Sequence, residues 1–310
     1  MHYFKVTNIS EILGKYKDVF NDDAGTVKGI TAKLSLKENK PKYIKARTVP
    51  FSLRAKVGEE LDRLEAEGTF TKVQHSEWAT PIIPVLKKNG SVRICGDFRV
   101  TLNPILIVDQ YPLPKIDDIF ANMNGGSHFS KIDLKQAYLQ LPMDEGCKEL
   151  LTINKHGGLN RYNRITFGIA FAPVIWQQTI EQILLGVPGT LCILDDMVIT
   201  GKTDEEHLQN VERVLQRLSE YGLRANLKKH EFFKENITFC GHTIAIHGLH
   251  KTPEKIDVIV KAPSPSNVSQ LRSFLGSVNY YGKSLPDLAT ILGLLHKLLQ
   301  KNCRWEWTDL

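Results

Sequence analysis

The sequence predicts an α+β fold in which antiparallel hairpins form sheets and amphipathic helices pack behind them. Three observations carry that expectation. Residues 191–200, Leu-Cys-Ile-Leu-Asp-Asp-Met-Val-Ile-Thr, set Asp195 and Asp196 between apolar runs too short for a helix of their own, which reads as a buried hairpin with acids at its tip. Lys87-Lys88-Asn89-Gly90 separates two strand-like runs, and Asn-Gly is a strong hairpin turn because both residues accept positive φ. Elsewhere, apolar residues recur at intervals of three and four, the period of a helix with one buried face.

Taken in order, Ile9, Ile12, Leu13, Tyr16 and Phe20 open the chain as a short amphipathic helix. An extended lead-in then carries Lys37, Lys40, Lys42, Lys45 and Arg47, which suits a solvated basic loop better than a nucleic-acid track. Leu53, Val57, Leu61 and Leu64 mark a second helix, with Gly68 as its C-terminal cap. The Asn-Gly hairpin of residues 79–86 and 91–99 follows. Its two tip lysines and Arg93 gather cations in a small volume, although tip lysines also serve solubility alone. Prolines at 112 and 114 start a helix bearing Ile116, Ile119, Phe120 and Met123, which leads into a strand around Asp133. Trp176, Gln177, Ile180, Ile183 and Leu184 lie on a further helix, and Gly186, Pro188 and Gly189 turn the chain into the aspartate hairpin. Thr203 with Glu206 forms a capping box for a helix striped by Leu208, Val211, Leu215 and Leu218 and ended by Gly222. After the linker signal Pro263-Ser-Pro-Ser266, Leu271, Phe274, Leu275, Val278 and Tyr281 form one helical stripe, and Leu292, Leu295, Leu298 and Leu299 another.

With 310 residues, 42% hydrophobic and 24% charged, the chain has globular composition and length for about two domains. Its net charge of +6 is compatible with a polyanionic partner without identifying one. Five cysteines without framework spacing argue for a reducing compartment. No signal-peptide pattern opens the chain, and no apolar run approaches the roughly 18 residues of a membrane span. The expectation is an intracellular protein without a membrane partner, placed in a cytoplasmic particle or the nucleus. Cys240, His242, His247 and His250 carry zinc-ligand side chains, but their spacing matches no standard finger.

Two carboxylates about 4 Å apart at an effective dielectric near 20 repel by roughly 4 kcal/mol, so a cation should lie beside Asp195 and Asp196. Asp-Asp is also ordinary turn chemistry. Upstream, Phe129-Ser-Lys-Ile-Asp133-Leu134 alternates so that Ile132 and Leu134 share one face and Asp133 takes the other. If the two strands are neighbours, three carboxylates converge into a hard-oxygen site suited to Mg²⁺. Two such ions can activate an attacking hydroxyl and stabilise a leaving oxygen in phosphoryl transfer.

The ordered set of Asp133 with Tyr138, Arg164-Ile-Thr-Phe-Gly168, Ile193-Leu-Asp-Asp196 and Phe239-Cys-Gly-His242 resembles the reverse transcriptase of Ty3/gypsy-type long-terminal-repeat retrotransposons. The resemblance covers nearly the whole chain. It implies a right-hand polymerase fold with fingers, an antiparallel-sheet palm and a small helical thumb. The corresponding division is a lead-in over 1–47, interleaved fingers and palm over 48–249, and a thumb over 250–310 that stops before ribonuclease H. It implies an RNA-directed DNA polymerase with Asp133, Asp195 and Asp196 as catalytic acids and metal ligands, and two Mg²⁺ ions, with Mn²⁺ as an alternative. Lys87 or Lys88 and Arg93 would hold the triphosphate, the amides of Gln136 and Ala137 would meet its phosphates, and Tyr138 would exclude a 2′-hydroxyl. Phe167 would touch the templating pair, Gln177 would lie near the nucleotide, and Cys240, Gly241 and His242 would grip the primer end. The implied partners are an RNA/DNA template-primer duplex and a deoxynucleoside triphosphate, with ribonuclease H and integrase in a longer polyprotein.

Relatives carry tyrosine where this sequence has Ile193, proline where it has Thr166 and a smaller residue where it has Phe171. These departures motivate a second reading, a catalytically silent domain that binds nucleic acid or protein. A two-metal nuclease is a third, and it leaves Tyr138 and the primer hairpin unexplained.

Overall fold

The computed structural model describes residues 8–87, 89–107, 111–112, 123, 125–227, 229–246, 248–251, 253–279, 287–300 and 305, with backbone alone at 249–251 and 253–256. The expected helix bearing Ile116, Ile119 and Phe120, as well as Lys88 and His247, lies outside the described residues. The chain divides into two compact units: Met1–Phe239 with Ile244–Gly248, and Cys240–Thr243 with Leu249–Leu310.

In the first unit, Asn8 caps helix α1 (Ile9–Lys15) by accepting from the Glu11 N–H at 3.0 Å, and a 3₁₀ turn (Lys17–Phe20) continues it. The buried residues Ile12, Tyr16 and Val19 anchor this segment in the core. Helix α2 (Arg54–Ala66) buries Val57, Leu61 and Leu64, and Gly68 beyond its end takes φ 70. A five-stranded sheet has the order β1-β6-β5-β2-β3, built from β1 (Phe70–Val73), β2 (Thr80–Leu86), β3 (Val92–Gly96), β5 (Thr152–Lys155) and β6 (Gly158–Tyr162). β2 and β3 form the expected Asn-Gly hairpin, with Val85 opposite Arg93. β2 and β5 run parallel, Thr80 opposite Ile153, and join that hairpin to the rest of the sheet.

The second sheet of this unit has the order β7-β8-β4-β9 and is antiparallel throughout: β4 (His128–Asp133), β7 (Thr190–Ile193), β8 (Asp196–Gly201) and β9 (Glu231–Lys234). Its central strand β8 carries the buried apolar run Met197-Val198-Ile199 where α3 (Ala172–Ile183) packs on β7 and α4 (Asp204–Glu220) on β8 and β4. Ile132, Met197, Ile199, Trp176, Ile180, Val211 and Leu215 are each fully buried in the shared core. The α4 cap forms as expected at Thr203, whose hydroxyl accepts from the Glu206 N–H at 3.2 Å; the Glu206 carboxylate reaches back to the Lys202 N–H rather than to that of Thr203. Gly189 is required where the chain enters β7: it has φ 58, and a Cβ there would stand 2.3 Å from the Thr200 carbonyl oxygen.

Strands β10 (Asn236–Phe239), β11 (His242–Ala245) and β12 (Gly248–Lys251) follow. The second unit then holds α5 (Pro253–Val260), α6 (Val268–Asn279), α7 (Leu288–Ile291) and α8 (Gly293–Lys297) around a small core of Leu271, Leu275, Val278 and Leu292. The second leucine stripe falls on one short helix, α8, with Leu292 as its N-cap and Leu298 as its C-cap, and α7 precedes it. Gly293, a poor helix former, opens α8.

Candidate active site

The three acids come together through strand register. β4 and β8 pair along their length and end with Asp133 opposite Asp196. β7 meets β8 with Ile193 opposite Asp196, which leaves Leu194-Asp195 as a two-residue turn. Leu194 takes φ 55, and the Asp195 carbonyl accepts from the Leu134 N–H at 2.7 Å, so the tip of the hairpin is fastened to the end of β4. Asp133 is 8% exposed, whereas Asp195 reaches solvent.

The cations that the like charges call for are lysines of the same chain. Lys229 Nζ lies 3.0 and 3.2 Å from the two oxygens of Asp133. Lys131 Nζ lies 3.2 Å from Asp196 Oδ1 and donates to the Thr238 carbonyl at 3.3 Å. Asp195 has no ammonium or guanidinium within ion-pair distance among the described residues. Partial desolvation of its carboxyl raises its pKa and the charges of Asp196 and Asp133 push the same way, while its own backbone N–H and the charge of Lys229 offset part of the shift. The donor set, carboxylate oxygens only, is the chemistry of a hard divalent cation. In this arrangement, among the described residues, no three such groups are gathered tightly enough to hold one ion together.

Helix α3 grips the aspartate hairpin from beneath. Trp176 Nε1 donates to the Leu194 carbonyl at 2.6 Å, Gln177 Nε2 donates to the Cys192 carbonyl at 2.8 Å, and Gln177 Oε1 accepts from the Leu194 N–H at 2.8 Å. Gln177 is 0% exposed and also donates to Glu181 at 2.7 Å, so its amide is occupied by the hairpin and its neighbour. That geometry gives Gln177 a supporting contact to the hairpin. The positive-φ turn leaves the Leu194 N–H and C=O without strand partners, and the helix supplies them.

The cations on the β2–β3 side also converge with their expected neighbours. Lys87, Arg93, Gln136 and Phe167 line one small cavity together with Glu60 and Tyr162. The Arg93 guanidinium lies 4.2 Å from the Phe167 ring centre, and Phe167 meets Tyr138 edge-on at 5.0 Å. Gly168 lets this turn close on β3: it has φ 97, and a Cβ would stand 2.4 Å from the Gly96 carbonyl oxygen. Half-buried Tyr138 connects the two sides. Desolvation raises its hydroxyl pKa, Asp195 adds to the rise, and Arg93 opposes it, so both charges lie within its electrostatic reach. Gln136 is left-handed (φ 47, ψ 47) and starts the 3₁₀ turn Ala137–Gln140, whose first amides precede any carbonyl of the turn that could accept from them. Buried Gln140 ties this turn to the Arg224 backbone, donating to the Arg224 carbonyl at 2.9 Å and accepting from its N–H at 2.7 Å.

Three further residues received no role from sequence reasoning. Lys229 and Lys131 are the counter-ions above; Lys131 lies two residues before Asp133 on the same strand face, which is a readable signal, whereas Lys229 comes from a distant turn. Asp97, 3% exposed, holds Arg47 at 2.7 Å and Arg99 at 3.0 Å, so one cation of the basic lead-in is structural. The departures leave the acids in place: Ile193 pairs in register with Asp196, Thr166 is buried, and Phe171 is half-buried at the start of α3. In the second unit, Cys240 and Gly241 have φ 47 and 78, the two positive values of a tight hairpin turn, and His242 Nδ1 lies 3.2 Å from the Cys240 carbonyl. The zinc reading gains no support, since His247 is outside the described residues and no zinc-type ligand cluster occurs among those described.

Residues 85–244, which carry the acids and β3 to β11, match the sequence profile of the reverse transcriptase (RNA-dependent DNA polymerase) family. The chain belongs to the reverse transcriptase family. It is a reverse transcriptase domain of the retrotransposon type, as the ordered motifs suggested. Its relatives include an uncharacterised protein of Caenorhabditis elegans, K02A2.6, 34% identical over 88% of this chain and 22% of its own length. The transposon Tf2-7 polyprotein of Schizosaccharomyces pombe is 35% identical over 74% of this chain and 17% of its length. The retrovirus-related Pol polyprotein from transposon 412 of Drosophila melanogaster is 28% identical over 98% of this chain and 25% of its length. The reverse transcriptase chain thus spans about a fifth of the curated relatives it matches. Among solved structures, the foamy viral protease-reverse transcriptase in complex with double-stranded DNA superposes with a TM-score of 0.88 at 23% identity, over 98% of this chain and 56% of the other. The same viral protein with an RNA/DNA hybrid gives 0.82 at 22% identity, over 98% and 43%. The fold is therefore the right-hand polymerase fold expected from the sequence. Among the described residues no helix is long and apolar enough to cross a membrane.

Proposed function

We propose that this chain is the polymerising domain of a retrotransposon polyprotein and extends a primer on an RNA template. The observation that carries the reading is the joining of acids and cations around Tyr138: Asp133, Asp195 and Asp196 at one strand end, Lys87 and Arg93 in the adjoining cavity. Asp133 and Asp195 would hold two Mg²⁺ ions with Asp196 in support, and ions bound there supply activation of the primer 3′-hydroxyl and stabilisation of the leaving oxygen. Arg93 and Lys87 neutralise the phosphates of the incoming deoxynucleotide, a guanidinium fork and an ammonium both being suited to phosphate oxygens. The first amides of the Gln136 turn donate to the same phosphates. Tyr138, backed by Phe167, occupies the space a 2′-hydroxyl would need. Trp176 and Gln177 hold the hairpin so that Asp195 keeps its position through the reaction.

In this reading residues 48–249 act as fingers and palm, residues 250–310 as a thumb, and Cys240, Gly241 and His242 hold the primer end. The foamy viral relative has been captured with both double-stranded DNA and an RNA/DNA hybrid, which supports a template-primer duplex as the partner here. The polyprotein relatives support a longer context, in which ribonuclease H and integrase would stand alongside. Primer extension on an RNA template with Mg²⁺ and deoxynucleotides tests the reading. The wild-type chain should extend the primer and Asp195→Asn should not; undiminished extension by Asp195→Asn would falsify it.

A further inference from the structure

Lys229 has no part in the scheme above, yet it makes the closest ionic contact in the acid cluster. It bridges both oxygens of Asp133, at 3.0 and 3.2 Å, leaving neither oxygen of that carboxylate without the ammonium. Its position is built in. Ala225 bridges to Leu134, the Asn226 N–H donates to the Asp133 carbonyl at 2.8 Å, and the Lys229 N–H closes a turn on the Asn226 carbonyl at 3.1 Å. The turn that carries the ammonium is therefore registered on the residue whose charge it neutralises. Lys131 differs: it touches one oxygen of Asp196, is tethered to the Thr238 carbonyl and has a side chain only 19% exposed.

We propose that Lys229 is a displaceable counter-ion that occupies the Asp133 carboxylate when no divalent cation is bound and competes with the cation for it. The proposal rests on the metal-binding role of the three acids given under Proposed function. Asp133 has a side chain only 11% exposed, and it sits beside two other acids. An ammonium keeps that carboxylate charged and in place in the empty cluster. The Lys229 side chain is 61% exposed, and an ion pair with one solvated partner is weak enough to exchange. A divalent cation brings twice the charge and can be shared with Asp195, which has no cation at ion-pair distance among the described residues, so it prevails once bound to both. Lys229 then swings to solvent on its flexible stem while the turn stays registered through its backbone. The consequence is that Lys229 weakens divalent-cation binding and spares the empty cluster the repulsion of three unscreened acids.

The test is an Mn²⁺ titration of the full chain without nucleic acid or nucleotide, with free Mn²⁺ measured by its electron paramagnetic resonance signal. Lys229→Gln should bind Mn²⁺ about fivefold tighter than wild type, the factor for no longer giving up one ion pair of unit charges about 4 Å apart in a solvated site. Lys229→Arg, which keeps the charge, should stay within about twofold of wild type, and Asp133→Asn should erase the gain when combined with Lys229→Gln. Affinity that is unchanged or weaker in Lys229→Gln, while Asp195→Asn abolishes binding, overturns the counter-ion role and leaves the metal role intact. A titration in which Asp195→Asn binds as wild type does overturns both.

Discussion

The acid floor and the cation hairpin of this reverse transcriptase are satisfied in opposite ways. At the end of β4 and β8, two of the three acids already have ammonium partners from their own chain, Lys229 on Asp133 and Lys131 on Asp196. In the adjoining cavity, Lys87 and Arg93 have no carboxylate at ion-pair distance among the described residues, and Arg93 rests on the face of Phe167 instead. The difference follows from cost. Acids packed together repel and need a local cation, whereas cations near solvent can remain unpaired until an anion arrives. Under the proposed function, the cation side would be ready for a phosphate ligand, whereas the acid side would first have to release its ammonium to take a metal ion.

Four changes break or sharpen this contrast, in descending order of effect. Asp133→Asn should reduce nucleotide incorporation by roughly a thousandfold, because it removes a charge from the centre of the cluster where the transition state needs it. Arg93→Ala should raise the KM for deoxynucleotides by roughly tenfold with a smaller change in kcat, since a phosphate contact made before and during the reaction is mostly binding. Steady-state kinetics on one template separate those two parameters. Gln177→Ala acts beneath the acids, leaving the Leu194 N–H and Cys192 C=O of a buried hairpin unpaired. A destabilisation of about 2 kcal/mol in urea unfolding is expected, together with lower kcat at unchanged duplex affinity.

The smallest effect lies on the back of the same sheet. His207 is fully buried with Nε2 2.8 Å from Ser130 Oγ, and burial, reinforced by nearby His128, pushes its pKa down to about 4. The folded-state value lies below the ordinary histidine value, so the unfolded chain binds the extra proton first as pH falls. Stability is therefore complete above about pH 6.5 and declines as pH falls towards 4, with roughly 2 kcal/mol lost by pH 5. Urea midpoints at pH 7.5 and 5 should differ more for wild type than for His207→Gln, and equal differences would remove histidine burial as the cause.

Much of this was legible because local chemistry and tertiary structure agree at the informative positions. Asn89-Gly90, Asp195-Asp196 and the Thr203 capping box each mark a turn or cap whose residues are dictated by backbone geometry alone, and each sits where the pattern put it. The β5–β6 hairpin escaped notice although Gly157 ends its turn and Gly158 opens its return strand; both glycines take positive φ, 112 and 131, and the Gly-Gly pair was available from the sequence. Helix α5 was missed for want of a long stripe, although Pro253 stands at its first position. Within the site, residue types foretold the acids and the cations of the facing hairpin, but no periodicity shows that Gln177 turns inward to the Leu194 backbone or that Lys229 reaches Asp133 across 96 residues. Both depend on long-range packing, to which spacing is blind.

The most direct test of the central claim, that the acids of two separate strands act as one metal-dependent centre, is single-turnover incorporation of one deoxynucleotide on an RNA-templated primer. It should be paired with duplex affinity measured by fluorescence anisotropy. The account predicts that wild type incorporates the nucleotide with Mg²⁺, while Asp133→Asn and Asp195→Asn each bind the duplex as tightly and incorporate almost nothing. Incorporation by either variant at the wild-type rate would contradict it.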